Sequence, residues 1–281
     1  MIATDNLEEL RRLVAEARRT GRRIGCVPTM GALHAGHLSL MRDARGQCDV
    51  VVTTIFVNPT QFAPDEDFQK YPRTLPDDLE QCREVGVDLV FHPPVETMYP
   101  PRDATYVDLD GPALPLEGVS RPGHFRGVAT VVVKLLMAVG PDVAFFGQKD
   151  YQQQLVIRRF CRDLLIPVEI QTCPIIREPD GLAMSSRNAY LSPDERTSAL
   201  ALSQALDIAG VGLTAGNRDL AAVREAMHAH LNSTPGVEIE YAVLADPETL
   251  AELKQPQAEI VALIAARVGQ TRLIDNAIFT V

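Results

Sequence analysis

The chain has 281 residues, 46% of them hydrophobic, and a formal net charge of −10. That length builds one large domain or two ordinary ones, and no apolar run approaches the roughly 20 residues of a membrane span. The acidic balance argues against non-specific binding to nucleic acid or to an anionic membrane. Five scattered cysteines without a CxxC pair argue for reduced, buried thiols in a cytoplasmic protein and against a structural zinc site.

The charged, amphipathic N-terminus reads as a helix rather than a secretory signal. Asp5 and Glu8 predict its capping box, Leu7, Leu10, Val14 and Ala17 its apolar face, and Gly21 its stop. Residues 24–27 predict a short buried strand. Pro28, Gly31 and Gly36 then break regular structure, and Leu38, Leu40, Met41 and Ala44 form a helical apolar face. Further on, residues 50–56 predict a strand, 75–86 a helix, 89–92 a strand, 128–139 a helix ending at Gly140-Pro141, 143–146 a strand, 151–165 a helix and 168–172 a strand. This alternation predicts a doubly wound parallel α/β sheet, Rossmann-like, over residues 1–176. In such sheets ligands bind beyond the carboxyl ends of the strands. Arg177-Glu178-Pro179-Asp180-Gly181 reads as a turn and linker. Residues 177–281 then predict a smaller α+β domain. Its helices are one capped by Ser192 and running to about residue 209 and one over 220–232, and its strands lie around 239–243, 260–265 and 272–274.

His34-Ala35-Gly36-His37 stands where the first strand turns into a helix. Helix N-terminal amides are free and the dipole is positive there, so the spot suits phosphate. A histidine adds a donor, and a cation when protonated. Gly147-Gln148-Lys149-Asp150 follows the 143–146 strand. The glycine lets backbone approach a ligand; Lys149 can neutralise phosphate, and Asp150 suits a helix cap, a ribose or a metal. Met184-Ser185-Ser186-Arg187 offers two hydroxyls and a planar fork of donors for a polyphosphate, or is a polar loop. Asn58-Pro59-Thr60-Gln61-Phe62 brings uncharged amides to a strand end, for a small hydroxy acid or merely for a turn. Of Gln152, Gln153 and Gln154, one or two can face a cleft; the others are expected in solvent. The basic, glycine-containing segment 121–127 either closes over anions or is a surface connection. His92, His228 and His230 read as structural or solvated. The net negative charge does not forbid an anionic substrate, because a cation about 4 Å from a phosphate contributes roughly 4 kcal/mol at an effective dielectric near 20, while charges beyond a Debye length of about 8 Å are screened.

Taken jointly, these segments resemble the nucleotidyltransferase superfamily, which includes class I aminoacyl-tRNA synthetases and pairs a His-x-Gly-His element with a later Met-Ser-Lys-like loop. More closely, the chain resembles the pantothenate synthetase (pantoate–β-alanine ligase) family. The resemblance rests on Pro28-Thr29-Met30-Gly31-Ala32-Leu33-His34-Ala35-Gly36-His37, Phe56-Val57-Asn58-Pro59-Thr60-Gln61-Phe62 and Tyr71-Pro72-Arg73. It continues through Phe145-Phe146-Gly147-Gln148-Lys149-Asp150-Tyr151-Gln152-Gln153 and Asp180-Gly181-Leu182-Ala183-Met184-Ser185-Ser186-Arg187-Asn188. Thr60 and Gln148 stand where relatives vary.

The resemblance implies ATP-dependent condensation of (R)-pantoate with β-alanine through a pantoyl adenylate, releasing AMP and pyrophosphate, in pantothenate and coenzyme A biosynthesis. It implies an ATP site built from Met30, Gly31, Ala32, Leu33, His34, Ala35, Gly36, His37, Gly147, Gln148, Lys149, Asp150, Ile176, Met184, Ser185, Ser186 and Arg187. Of these, His34, His37, Lys149, Ser185, Ser186 and Arg187 would act on the reacting phosphates, with Mg²⁺ on the phosphates and no dedicated metal site. Gln61, Gln153 and Asn58 would hold pantoate. A cytoplasmic homodimer joined through the N-terminal domain is expected, with small-molecule partners and neither nucleic acid nor membrane. The second domain would act as a lid. A nucleotidylyltransferase that stops at an adenylylated product, a tRNA-charging enzyme and a nucleotide-binding sensor are the alternatives. The Gln61 and Gln153 pair, the acidic charge and pyrophosphate release separate these from a ligase.

Overall fold

Residues 50–55, Val-Val-Val-Thr-Thr-Ile, are buried along their whole length. A strand covered on both faces has no polar side to alternate with, which is the signature of a parallel sheet between helical layers. The computed structural model describes residues 1–64, 66–216 and 218–281. Its N-terminal part runs β1 (Ile2–Thr4), α1 (Leu7–Arg19), β2 (Ile24–Thr29), α2 (Ala35–Gln47), β3 (Val50–Ile55), α3 (Leu75–Glu84), β4 (Leu89–Phe91), the short helices α4 (Val95–Met98) and α5 (Glu117–Ser120), α6 (His124–Val139), β5 (Val143–Gly147), α7 (Tyr151–Asp163) and β6 (Glu169–Cys173). The six strands lie in the order β1-β4-β3-β2-β5-β6, with every pair parallel. One core on the sheet gathers Leu10, Val14, Leu135, Leu136 and Phe160 from α1, α6 and α7. Another gathers Met41, Ala44 and Cys82 from α2 and α3. The winding reverses between β2 and β5, so the crevice at their carboxyl ends is the switch point where such sheets bind ligands. His34 and His37 follow β2, and Lys149 follows β5.

The C-terminal part contains α8 (Pro193–Ala199), α9 (Ala201–Thr214) and α10 (Leu220–Ser233), then the antiparallel sheet β7 (Val237–Ala245), β8 (Glu259–Val268) and β9 (Thr271–Thr280). Leu202, Leu206, Leu213, Met227 and Leu231 pack on Leu244, Ile260 and Ile264. Val261 and Leu263 of β8 face the other way, onto Tyr151. Both faces of β8 are therefore covered, and its residues 260–266 are continuously buried. Among the described residues no helix is long and apolar enough to cross a membrane.

Several local expectations change. Asn6, not Asp5, caps α1: its Oδ1 accepts from the amides of Glu8 (2.9 Å) and Glu9 (3.0 Å). The chain reaches Asn6 through β1, which pairs with β4 and is too short to show a period. The helix expected from Ser192 to about residue 209 is two helices, α8 and α9, meeting at Leu200. Gln152 and Gln154 are buried rather than solvated. Gln152 donates to the carbonyls of Pro112 (2.8 Å) and Pro115 (2.6 Å), and Gln154 accepts from Thr172 Oγ1.

Polar contacts join the two parts. Arg272 of β9 donates to both oxygens of the buried Glu117 (2.8 and 2.6 Å), and Tyr241 Oη donates to the same carboxylate. Burial pushes the Glu117 carboxyl up, but Arg272 outweighs it and holds the group below the usual range. Removing one member of a buried ion pair leaves the other uncompensated, at a cost of about 3–5 kcal/mol. Arg272→Ala should accordingly lower the urea midpoint with the slope unchanged. An unchanged midpoint would show that Arg121, 3.9 Å from Glu117, replaces it.

Candidate active site

His34 is the N-cap of α2 and His37 its third helical residue, a spacing that matches a capping box. Here two imidazoles close it. His34 Nδ1 accepts from the Gly36 amide (3.2 Å), and His37 Nδ1 accepts from the His34 amide (3.4 Å). A ring nitrogen that accepts carries no proton, so each neutral ring holds its hydrogen on Nε2 and can donate it to a ligand. The two ring centroids are 4.1 Å apart. A Cβ on residue 36 would stand 2.9 Å from His34 Cε1 and 3.0 Å from Nδ1, which is why a glycine separates the histidines.

Burial, joined by the Lys149 charge, lowers the His34 pKa to about 4. Burial, then His34 and Lys149, lowers that of His37 to about 3. At neutral pH both are donors without charge. Lys149 and Arg187 are among the cations that line the same cavity.

The loop ahead of His34 is tied from beneath. Asp78, 1% exposed, accepts from the amides of Ala32 (3.1 Å) and Leu33 (2.8 Å) and from Thr74 Oγ1 (3.3 Å). Gly31, Ala32, Leu33 and Ala35 therefore shape the loop but do not line the cavity, whereas Met30, His34, Gly36 and His37 do. Asp78 escaped sequence reasoning because an acid in the first turn of a helix already has a reason to be there, the helix dipole.

The same cavity is lined by Asn58, Gln61, Gly147, Lys149, Asp150, Gln153, Ile176, Met184, Ser185, Ser186 and Arg187. Gln61 donates from Nε2 to Met30 Sδ (2.9 Å), and its Oε1 accepts from Asn58 Nδ2 (3.1 Å). Asn58 is 1% exposed and is also engaged by Tyr99 Oη and the Gly127 carbonyl, so it orients Gln61 from behind. Helix α6 crosses this turn closely: a Cβ on Gly127 would meet the Thr60 carbonyl and stand 2.8 Å from Gln61 Cα. The segment 121–127, left open by the sequence, joins the cavity wall. Arg121 and His124 line it, His124 Nδ1 donates to the Gln61 carbonyl (2.9 Å), and Arg121 pairs with Glu66 at 2.6 Å.

Gln148 turns away from the cavity and donates to Asn276 (3.2 Å). Ser185 Oγ accepts from the Arg187 amide, Ser186 Oγ lies 3.4 Å from Tyr71 Oη, and Arg187 grips both oxygens of Asp67 (2.9 and 3.1 Å). Burial lowers the Arg187 pKa, but Asp67 and nearby acids hold it above its ordinary value. Among the described residues no group of three or more His, Cys, Asp or Glu could hold a metal. One carboxylate that lines the cavity, Asp150, would fit a Mg²⁺ that arrives with a nucleotide, since that ion keeps few protein ligands.

The depressed histidine pKa values have a signed consequence. Unfolded, each imidazole takes a proton near pH 6.5; folded, only near 3–4. Between those values the unfolded state binds more protons, so this contribution to stability is complete above about pH 6.5 and is lost as pH falls through about 4 for His34 and about 3 for His37. Ring-proton NMR should place both midpoints well below 6.5, and His34→Gln should flatten the acid side of the stability curve. Midpoints at 6.5 would mean that the capping geometry is wrong.

The Pantoate-beta-alanine ligase family matches this chain over residues 2–278. Pantothenate synthetase of Moorella thermoacetica is 54% identical over 272 residues, covering 97% of this chain and 96% of that protein. The pantothenate synthetase crystal structure from Thermus thermophilus superposes with a TM-score of 0.94 at 45% identity, covering 99% of each chain. That of the Francisella tularensis ligase, complexed with beta-gamma ATP and beta-alanine, superposes with a TM-score of 0.81 at 34% identity, covering 99% of this chain and 97% of that one. The chain carrying this paired-imidazole cavity belongs to the pantoate–β-alanine ligase family.

Proposed function

We propose that this single cavity carries out both halves of an ATP-dependent ligation of pantoate to β-alanine. The enzyme is a pantothenate-forming ligase; the roles of its residues are our reading. A carboxylate is a poor acyl donor, since its leaving group would be oxide. In the first half the pantoate carboxylate attacks the α-phosphorus of ATP in line, and pyrophosphate leaves. In the second the β-alanine amine attacks the acyl carbon of pantoyl adenylate, and AMP leaves. One observation carries the reading: the cavity is lined at once by paired imidazole donors and a lysine, which suit phosphates, and by two glutamine amides beside an apolar wall, which suit a hydroxy acid with geminal methyl groups.

His34 and His37 donate from Nε2 to phosphate oxygens as charge builds on them. Donors fixed in advance in a site poor in water act most strongly on such charge. Lys149 adds the cation. Ser185, Ser186 and Arg187 reach the triphosphate, with Arg187 exchanging Asp67 for a phosphate in the same planar fork. Gly147, Met30, Met184 and Ile176 wall the nucleotide. Gln61 and Gln153 hold pantoate's hydroxyl and carboxylate oxygens, with Asn58 orienting Gln61. Mg²⁺ bound with ATP would be held through Asp150 and would offset phosphate charge. Holding the adenylate beside the amine raises effective concentration and keeps water out.

We divide the chain into a nucleotide- and pantoate-binding domain (1–176) and a smaller lid domain (177–281). Cores confined to one side of that boundary or the other support the division, and a small cluster of Tyr151 with Val261 and Leu263 joins the two parts across it. A homodimer through the N-terminal domain is supported by exposed Met137, Leu164 and Leu165 and by the edge position of β6; sedimentation equilibrium is its test. Cysteines that are all buried and unpaired support a reducing, cytoplasmic setting, which localisation of a tagged copy would check.

Enzyme, ATP, Mg²⁺ and pantoate without β-alanine should release up to one pyrophosphate per site and retain an adenylate. His34→Ala and His37→Ala should each slow that step by roughly 10²–10³, the loss typical of one transition-state donor. Gln61→Ala or Gln153→Ala should raise the pantoate KM with ATP binding nearly intact, the loss of one uncharged hydrogen bond being about 0.5–1.5 kcal/mol. Pyrophosphate release strictly dependent on β-alanine would refute two-step chemistry. An ATP-selective defect in the glutamine variants would show that the pocket is misassigned.

A further inference from the structure

Two polar side chains of strand β9, Asp275 and Asn276, reach outside its own sheet. Asn276 is 1% exposed and sits on a strand of the C-terminal part. Its Nδ2 donates to the carbonyls of Gln148 (3.0 Å) and Lys149 (2.9 Å), and its Oδ1 accepts from Gln148 Nε2 (3.2 Å). All three contacts fall on the one turn that carries Lys149. Next to it, Asp275 accepts from the Asn276 amide (2.8 Å) and grips Arg177 at 2.6 and 3.0 Å. That ion pair holds β9 against the residues that leave β6.

The turn needs such a clamp. Gln148–Asp150 is a single turn of 3₁₀ helix between β5 and α7. Asp150 has φ −89° and ψ 59°, so the turn does not run on into α7 as regular helix. Lysine reaches through a flexible four-carbon stem. Its ammonium is placed reproducibly only when the backbone that roots the stem is fixed. Asparagine is suited to that task because one planar amide both donates twice and accepts. An aspartate of the same shape would accept but could not donate to either carbonyl.

We infer that Asn276 is a positioning residue for Lys149, so that the last strand of the chain is a working part of the nucleotide site. The inference rests on the role proposed above for Lys149. It also limits the lid: the C-terminal part cannot swing away as one body without pulling the Lys149 turn with it.

The test compares Asn276→Asp, Asn276→Ala, Lys149→Ala and the Asn276→Ala/Lys149→Ala double variant of the full-length enzyme. Val223→Ala, a core residue of α10 far along the chain from this turn, serves as a stability control. The readouts are single-turnover pyrophosphate release with ATP and pantoate, the pantoate KM and the thermal midpoint. A catalytic group displaced by about 1 Å loses up to about 10²-fold in rate. Both Asn276 variants should therefore slow pyrophosphate release roughly 10- to 100-fold with the pantoate KM unchanged. The double variant should be no slower than Lys149→Ala, since the two residues act as one unit. Val223→Ala should keep the wild-type rate even where its midpoint falls. A wild-type rate in Asn276→Asp overturns the inference. So do losses that multiply in the double variant while Lys149→Ala is itself slow, because Asn276 then acts apart from Lys149. A wild-type rate in Lys149→Ala overturns the reading of the phosphate site, and this inference falls with it.

Discussion

The end of the cavity that carries His34 and His37 depends on how helix α2 begins. A hydroxyl at the cap and a carboxylate three residues on would be the usual reciprocal pair. A good cap stabilises a helix by about 1 kcal/mol. On our reading of the site, a glutamate there would also stand beside the triphosphate, where like charges about 4 Å apart cost roughly 4 kcal/mol at an effective dielectric near 20. The larger number decides the chemistry. Imidazoles satisfy the same amides through Nδ1 and leave Nε2 as a donor. Everything near them follows from that choice: residue 36 must lack a Cβ, the rings must stay neutral to accept, and the loop before them must be held by something other than the helix. Asp78 does that holding from the face away from the cavity.

Charge is distributed to match. Arg121 pairs with Glu66, Arg177 with Asp275, Arg187 with Asp67 and Arg272 with Glu117. Among the described residues Lys149 forms no such ion pair. On our reading of the site, Lys149 is thus the cation left to a phosphate, while Arg187 reaches one only by exchanging partners. That exchange is not costly, because a guanidinium fork meets a phosphate in the geometry in which it meets a carboxylate. Asp67 therefore keeps Arg187 shaped and partly desolvated before a nucleotide arrives. A chain with net charge −10 can build an anion site in this way, since the deciding charges lie within one Debye length.

The sheet and the cavity were legible in the sequence for different reasons. Strands β2, β3 and β5 are buried on both faces and read as apolar runs between glycines and prolines, so their existence and their ligand-binding ends could be inferred, though not their order in the sheet. His34, His37 and Lys149 were legible because they follow those ends, whereas Gln153 was separated from Gln152 and Gln154 only by the family resemblance. Residues that act through others were not. Asp78 lies 45 residues from the amide it holds, and Asn276 lies 127 residues from Lys149. No local pattern marks such a partner. Gln152 and Gln154 were misjudged because burial is normally denied to an amide; carbonyls at Pro112 and Pro115 and a hydroxyl on Thr172 supply the hydrogen bonds that permit it. The cap of α1 moved from Asp5 to Asn6 because a three-residue strand, invisible to periodicity, extends the chain that far.

These long-range ties also restrict which parts of the site can move. An acyl adenylate must be guarded from water, so some wall has to close. The floor is fixed: β2 and β5 are central strands, Asp78 holds the histidine loop and Asn276 clamps the Lys149 turn. On the lid side, residues 176–184 form a tight hairpin, with the Met184 amide donating to the Ile176 carbonyl (3.0 Å) and Arg196 pairing with Glu178 and Asp180. The contacts that remain exchangeable are those between residues 67–71 and 186–190: Arg187 with Asp67, Ser186 with Tyr71, and Tyr190 with the Lys70 carbonyl. Each pairs a side chain suited to phosphate, or its near neighbour, with a group that a triphosphate can replace. On the reading proposed above, closure is then a local exchange of partners at this seam, with β9 and the Lys149 turn staying in place.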